Sequence, residues 1–398
     1  MKKLQLTWTV LLLLTLLSGT HAQSVLSKAE MIKLADRTLD FAARQYKHMA
    51  AAVPDSLLPR STNKDGSLMT STSSWWTCGF YPGTLWYLYE YTKDDALKQE
   101  AVKRMALVEN NKYNTRTHDL GFMMYCPFGN AYRITGDTTY KTILLRSAAS
   151  LSTRFNPAVG CIKSWDHGTW KFPVIIDNMM NLELLTWASR ESGDPSFTKI
   201  ATTHASTTMK HHFRKDYSSW HVVDYNPATG AVVEKKTHQG FADSSAWARG
   251  QAWGLYGYVM MYRETKQKIY LDQARHIADF MLNHPNMPAD LIPYWDFNAA
   301  GIPNVPRDVS AGAVTAAALL ELSLYTGRKE AKRYWGAAEK MIVSLASPAY
   351  LAKEGGNNNF ILMHSVGSLP HNSEVDVPLT YADYYFVEAL LRYKAWVK

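Results

Sequence analysis

Beyond Leu17 the chain has no apolar run that approaches the roughly 18 residues of a membrane span, so no transmembrane helix is expected in the body of the protein. Cysteine is scarce. Cys78, Cys126 and Cys161 are odd in number and widely scattered, which excludes a disulfide framework and a zinc spacing and leaves them as small buried apolar residues. No HExxH helix and no Cys/His ligand set occurs, so neither a catalytic metal nor a cofactor is expected. A Gly-x-Ser-x-Gly elbow is missing, which argues against a serine hydrolase. The net charge is +8, yet no dense Lys/Arg run or nucleic-acid motif carries it, so nucleic acid is not an expected partner. A modest positive charge suits ordinary solubility or a polyanionic substrate. Strand-like alternation is scarce too; residues 220–236, around Thr229-Gly230, read as one small hairpin.

The N-terminus carries Lys2 and Lys3, the apolar run Leu11 to Leu17, and then Thr20-His21-Ala22-Gln23. This is the pattern of a cleavable signal peptide, residues 1–22, cut after Ala22. Gln23 stands where a lipoprotein anchor would need Cys. The mature chain, 23–398, is expected to be exported, periplasmic or secreted, and to form one domain.

What the sequence does hold is a repeat. An aromatic-rich helix ends in a short polar turn and an amphipathic helix follows. The turns are Tyr91-Thr92-Lys93-Asp94, Thr135-Gly136-Asp137, Ser192-Gly193-Asp194, Glu264-Thr265-Lys266 and Thr326-Gly327-Arg328. Gly just past a helix end serves as a C-cap, and the Asp beside it can cap the next helix. Helices are expected near 28–49, 79–92, 95–110, 122–135, 138–153, 174–190, 195–212, 243–265, 268–283, 310–325, 328–346 and 378–395. One helix of each pair is rich in aromatic, Gly, Ala and Met residues, as in Ala252-Trp253-Gly254-Leu255-Tyr256-Gly257; the other has one apolar face, as in Leu271, Ala274, Ile277, Ala278 and Met281. Six buried helices inside six amphipathic ones make an all-α (α/α)6 toroid. Inner-to-outer turns are short and outer-to-inner connections long, so every long loop falls where the inner helices begin. The positive ends of their dipoles point there, which suits an anion.

Those loops carry Trp75-Trp76, His118-Asp119-Leu120-Gly121-Phe122, Trp165-Asp166, Ile176-Asp177-Asn178, Trp220-His221, Thr237-His238-Gln239-Gly240 and Ala246-Trp247-Ala248-Arg249-Gly250-Gln251-Ala252-Trp253. Aromatic faces, carboxylates and a guanidinium are the mixture a sugar site needs. Each also has a structural reading. Asp177 and Asp119 stand where helix caps stand, the tryptophans are at core spacing, and Arg249 can belong to a buried salt bridge. Trp253, four residues after Arg249, shares its helix face. His211-His212, on an outer helix, is expected at the surface.

The segments His118 to Phe122, Ile176 to Leu182 and His238 to Trp253, with Glu374 to Pro378 and Tyr381 to Tyr385, resemble the unsaturated glucuronyl hydrolases, glycoside hydrolase family 88. The resemblance runs from about Trp75 to the C-terminus, and the long Trp247-to-Trp253 segment is its most specific part. It implies the same toroid and an enzyme that hydrates the C4=C5 double bond of a Δ4,5-unsaturated uronic acid at the end of an oligosaccharide. By match to the family motif, Asp177 is the acid/base and Asp119 the supporting carboxylate. His221, His238, Gln239, Trp247, Arg249 and Trp253 correspond to pocket residues, with Arg249 helping to hold the uronate. Trp76 and Trp165 are further candidates to stack on sugars. The implied partners are unsaturated uronic-acid oligosaccharides. The alternatives are an unsaturated rhamnogalacturonyl hydrolase, a polysaccharide lyase on a similar toroid, and a non-catalytic glycan-binding toroid. A lyase would create the unsaturated chromophore that the hydrolase destroys, and a binding protein would leave it intact.

Overall fold

The structure, a computed structural model, describes residues 26–397; the expected signal peptide lies outside them. Twelve α-helices lie among the described residues. In chain order they are α1 (Lys28–Ala52), α2 (Phe80–Thr92), α3 (Asp95–Val108), α4 (Asn130–Thr135), α5 (Thr138–Ser152), α6 (Asn178–Ser192), α7 (Ser196–His211), α8 (Ala248–Thr265), α9 (Lys268–Asn283), α10 (Val309–Ser323), α11 (Arg328–Leu345) and α12 (Thr380–Trp396). A π-helical segment, Gly121–Gly129, runs straight into α4 and completes that inner helix. Pro127 inside it cannot donate a backbone hydrogen bond, which favours the wider turn over a regular α-helix.

The inner ring closes on itself. α2 packs on the π segment, that on α6, then α8, α10 and α12, and α12 returns to α2. Every residue of α10 is buried, whereas α9 buries one stripe that includes Leu271, Ala274, Ile277, Ala278 and Met281. The single-domain (α/α)6 toroid is the observed architecture. Its rear turns follow local rules: Gly136 and Gly193 adopt left-handed φ of 71° and 78°, and Asp94 and Asp137 accept from Ala96 and Thr139 backbone N–H, both at 2.9 Å. Gly327 departs from the pattern. It is the N-cap of α11, at φ −66°.

Short antiparallel strands decorate the front: β1 (Leu58–Thr62) with β2 (Leu68–Ser71), β3 (Phe155–Asn156) with β4 (Cys161–Ile162), and β5 (Pro173–Ile175), β6 (Val222–Tyr225) and β7 (Val232–Lys236) in one sheet. A last hairpin joins β8 (Ser365–Ser368) to β9 (Ser373–Val377). The expected hairpin near 220–236 is β6–β7. The expected helix from residue 174 is corrected: β5 takes 173–175 because Val174 and Ile175 find partners in Val223 and Val222, and the helix starts at Asn178. The expected start at 243 is corrected too. Residues 241–245 are loop, tied down by Asp296, which accepts from Phe241 N–H (2.9 Å) and the Ser245 hydroxyl (2.6 Å). Cys78, Cys126 and Cys161 are free and buried. His212 is not at the surface. It is fully buried, with Nε2 3.0 Å from the Val174 carbonyl, so it props the strand that leads to Asp177.

Candidate active site

The front end gathers the first residues of all six inner helices. Asp177 is the decisive one. It holds the N-cap position of α6, but its backbone is already helical and its side chain makes no cap bond. Asp308, at the same position of α10, does cap, accepting from Ser310 N–H at 3.1 Å. The Asp177 carboxylate is therefore free to face the mouth. It is 8% exposed. Burial pushes its pKa from 3.8 to about 7; the nearby Arg249 charge opposes this, the Asp119 charge adds to it, and the residue's own backbone N–H and the Trp253 indole favour the ionised form. No hydrogen bond closes between Trp253 Nε1 and the carboxylate, and Asp177 Oδ2 has no partner among the described residues.

His221 faces this carboxylate, its Nε2 3.7 Å from Asp177 Oδ2. Its other nitrogen, Nδ1, lies 3.2 Å and 3.1 Å from the backbone N–H groups of His238 and Gln239. Backbone amides only donate, so Nδ1 must be the unprotonated acceptor and the single ring proton sits on Nε2. Burial, with the His238 and Arg249 charges adding to it, drives the His221 pKa well down. His221 is a neutral donor aimed at the Asp177 side of the mouth.

Asp119 stands beside the start of the π segment. Its Oδ2 accepts from the Thr117 hydroxyl at 2.9 Å, and its Oδ1 lies 3.1 Å from His118 Nε2. His118 is anchored from behind by Nδ1, 2.9 Å from the Ser164 carbonyl. Burial lowers its pKa, and Asp119 pulls the other way.

The remaining expected residues divide into three groups. Arg249 is almost fully buried and committed to the protein: Nη1 meets Asp308 Oδ2 at 2.9 Å and the Val366 carbonyl, and Nη2 meets the Gly367 carbonyl at 2.5 Å. Gln239 Nε2 donates to the same Gly367 carbonyl at 3.0 Å. The Nη1 donors are thus occupied by the protein; the residue latches β8 and supplies a positive field to Asp177. Trp247 and Trp253, 3% and 0% exposed, are inside the wall rather than platforms on it. Trp247 packs on His221 at 4.4 Å and under the Arg249 guanidinium at 4.4 Å, while Trp253 is enclosed by Phe122, Tyr381 and Tyr385. Trp76 leans on Phe80, Phe122 and Tyr381 and keeps part of its surface open. Trp165 and His238 meet at the rim, rings 5.5 Å apart, with His167 stacked on Trp165 and His371 4.5 Å from His238.

Residue-by-residue reading of the sequence passed over His118, Asp308 and His371 as site members. His118 carried a signal, being adjacent to Asp119. Asp308 carried none, because Arg249 lies 59 residues away; His371 sits in the Gly367-to-His371 loop, its Nδ1 2.7 Å from the Ser368 hydroxyl, and owes its place at the rim to His238, far away along the chain.

A model of the family described as Glycosyl Hydrolase Family 88 matches residues 49–301. An unsaturated glucuronyl hydrolase from Formosa agariphila is 49% identical over 80% of this chain and 79% of that protein. An unsaturated chondroitin disaccharide hydrolase from Streptococcus agalactiae is 34% identical over 85% of this chain and 86% of that one. A crystal structure of an unsaturated glucuronyl hydrolase specific for heparin superposes with a TM-score of 0.89 at 51% identity, covering 91% of this chain and 97% of the other.

Proposed function

The chain belongs to glycosyl hydrolase family 88, and from that premise we propose that it removes a Δ4,5-unsaturated uronic acid from the non-reducing end of glycosaminoglycan-type oligosaccharides by hydrating the C4=C5 bond. It is a glycoside hydrolase. One observation supports the chemistry most: Asp177 stands at a helix start without capping it, buried, with its pKa raised to about 7. Such a carboxyl is protonated in part of the molecules near neutrality and can serve first as acid and then as base.

In this reading Asp177 gives its proton to C4. The double bond supplies the electrons, and positive charge develops at C5, shared by the ring oxygen. Water adds at C5 and passes a proton back to the Asp177 carboxylate, so the bond gains one H and one OH in total. The C5 hemiketal opens to a ketone. The C1 hemiacetal left behind expels the remaining sugar. The Nε2–H of His221 and the indole N–H of Trp253 have no partners among the described residues and are the nearest donors for the incoming oxygens. Asp119 holds its neighbour's pKa up and accepts from sugar hydroxyls, with His118 fixing its position. Trp165, His238 and Trp76, which keep open surface, are the platforms for the sugar rings. The curated relatives act, by their names, on unsaturated glucuronyl and chondroitin disaccharide substrates. The Lys2-Lys3 start, the Leu11 to Leu17 run and Ala22 support export.

The test is ultraviolet absorbance of lyase-generated disaccharides from chondroitin, hyaluronan and heparin, mixed with the protein or its Asp177→Asn variant. Wild type is expected to bleach the double bond and the variant to leave it. No loss on any substrate, with a folded protein, refutes the assignment.

A further inference from the structure

A cavity of about 830 Å³ opens at the rear of the toroid, where the inner helices end. The packed rings of Phe122, Trp253 and Tyr385, tilted and edge-on to one another, separate it from Asp177. Nothing in the hydration reaction uses it.

Glu183, Arg190, Glu388 and Arg392 of its lining belong to a charge network, continued behind the wall by Arg263, Glu264 and Glu321, that does not balance. Arg263 pairs with Glu183, Glu264 and Glu321, Arg392 with Glu321 and Glu388, and Arg190 with Glu264. Four carboxylates thus meet three guanidiniums. The rim adds nothing, because Arg133 pairs with Glu90, Lys141 with Glu191 and Lys394 with Asp36. One negative charge is in surplus. Glu183 gives one oxygen to Arg263, and its other oxygen takes no hydrogen bond among the described residues on the cavity side. Tyr385, 3% exposed, lines the same cavity with a hydroxyl that has no partner among the described residues. The wall above them is aromatic: Tyr125 and Tyr132 pack on Trp187 at 6.0 Å and 5.8 Å.

An unfilled charge, a free carboxylate oxygen, a free hydroxyl and aromatic faces together describe a receptor for an organic cation that bears N–H donors. A bare metal ion is a poor fit, since within the network Glu183 alone offers an oxygen not already held by Arg or Tyr. We propose that the rear cavity is a second ligand site that takes one small primary amine as its ammonium, hydrogen-bonded to Glu183 and Tyr385 and covered by the aromatic wall. Burial, together with Glu264, Glu388 and Glu321, pushes Glu183 to about 7 against the pull of Arg263, so without a ligand a proton stands in for the missing cation. The other groups facing it are Arg190 on its own helix, Tyr256 on α8, Arg392 on α12 and Tyr125 on the π segment.

The probe is phenethylamine, with 2-phenylethanol as the uncharged isostere, titrated calorimetrically into the protein at about pH 8 and about pH 6. One saturable site is expected for the amine at the higher pH, about tenfold weaker at the lower pH because the proton competes. The alcohol is expected not to bind. Glu183→Gln should abolish binding, and Tyr385→Phe, which keeps the ring, should weaken it on the order of fivefold. Asp177→Asn, at the opposite end, should bind as wild type does. Equal binding of the alcohol, loss in Asp177→Asn, unchanged affinity in Tyr385→Phe, or no saturable site would each overturn the proposal. If Glu183→Gln fails to fold, Tyr385→Phe and the pH pair decide.

Discussion

Replacing Asp177 by Asn should make the protein more stable where wild type carries the charge. The folded state holds this carboxyl at about 7, against 3.8 for the free side chain. Below 3.8 both states are protonated and the residue adds no pH dependence. Between those values the unfolded chain has released the proton and the folded chain has kept it, so wild-type stability falls as pH rises, at about 1.4 kcal/mol per pH unit. The fall stops once the folded state ionises too, near 7. From about pH 5 to about pH 8 the cumulative loss is about 3 kcal/mol. Asn is close in shape to the protonated acid and cannot ionise, so it escapes this loss. Glu183 and Asp383, also raised to about 7, titrate in both proteins and cancel from the difference. The assay is urea unfolding of both proteins at the two pH values, read as the change in their stability difference. A difference that stays flat across the range would refute the burial argument, and with it the account of how Asp177 keeps its proton for C4. The same variant should have no activity, so stability and turnover move in opposite directions.

Activity needs the protonated form of Asp177 for the first step, so the rate should decline as pH rises through about 7, and Asp119→Asn should move that limb to lower pH by removing a like charge; pH–rate profiles of the residually active variant check this. The Nε2–H form of His221 should persist without titrating from about pH 5 to about pH 8, visible as fixed ¹⁵N shifts for both ring nitrogens; a titrating ring would break the argument from the two amide donors. Gly121→Ala should destabilise by about 2 kcal/mol or more, although Gly to Ala in a helix ordinarily helps. The new Cβ would lie 2.6 Å from Asn181 Cα and 2.7 Å from its Oδ1, the atom that receives the Phe122 N–H. Chemical denaturation supplies the sign.

Much of the toroid could be read from composition, because the inner helices must be apolar all round and the outer ones on one side. The rear turns were legible for a local reason: Gly136 and Asp137 act within a few residues of themselves. What stayed hidden depends on distant partners. Arg249 finds Asp308 59 residues away and the Val366 carbonyl 117 residues away, so a residue read as a ligand clamp is first a latch. β5 is a strand because β6, encoded 47 residues later, offers it an edge. His212 is buried because the Val174 carbonyl needs a donor there. Asp177 looked like a cap in sequence, and only the helical backbone at that residue frees its side chain.

The closed inner ring has a consequence for how the chain can be cut. α12 packs against both α1 and α2, and Lys394 near its end pairs with Asp36 near the start of α1. Both ends of the described residues, 26 and 397, therefore emerge together at the rear, beside the short turns that link inner to outer helices. A ring closed in space has no preferred first hairpin. A few residues joining the two ends, with a new opening at the Thr265-Lys266-Gln267 turn, would leave every inner contact and the whole front mouth in place. The order in which the hairpins leave the ribosome is then a property of the gene, and the mouth is a property of the circle.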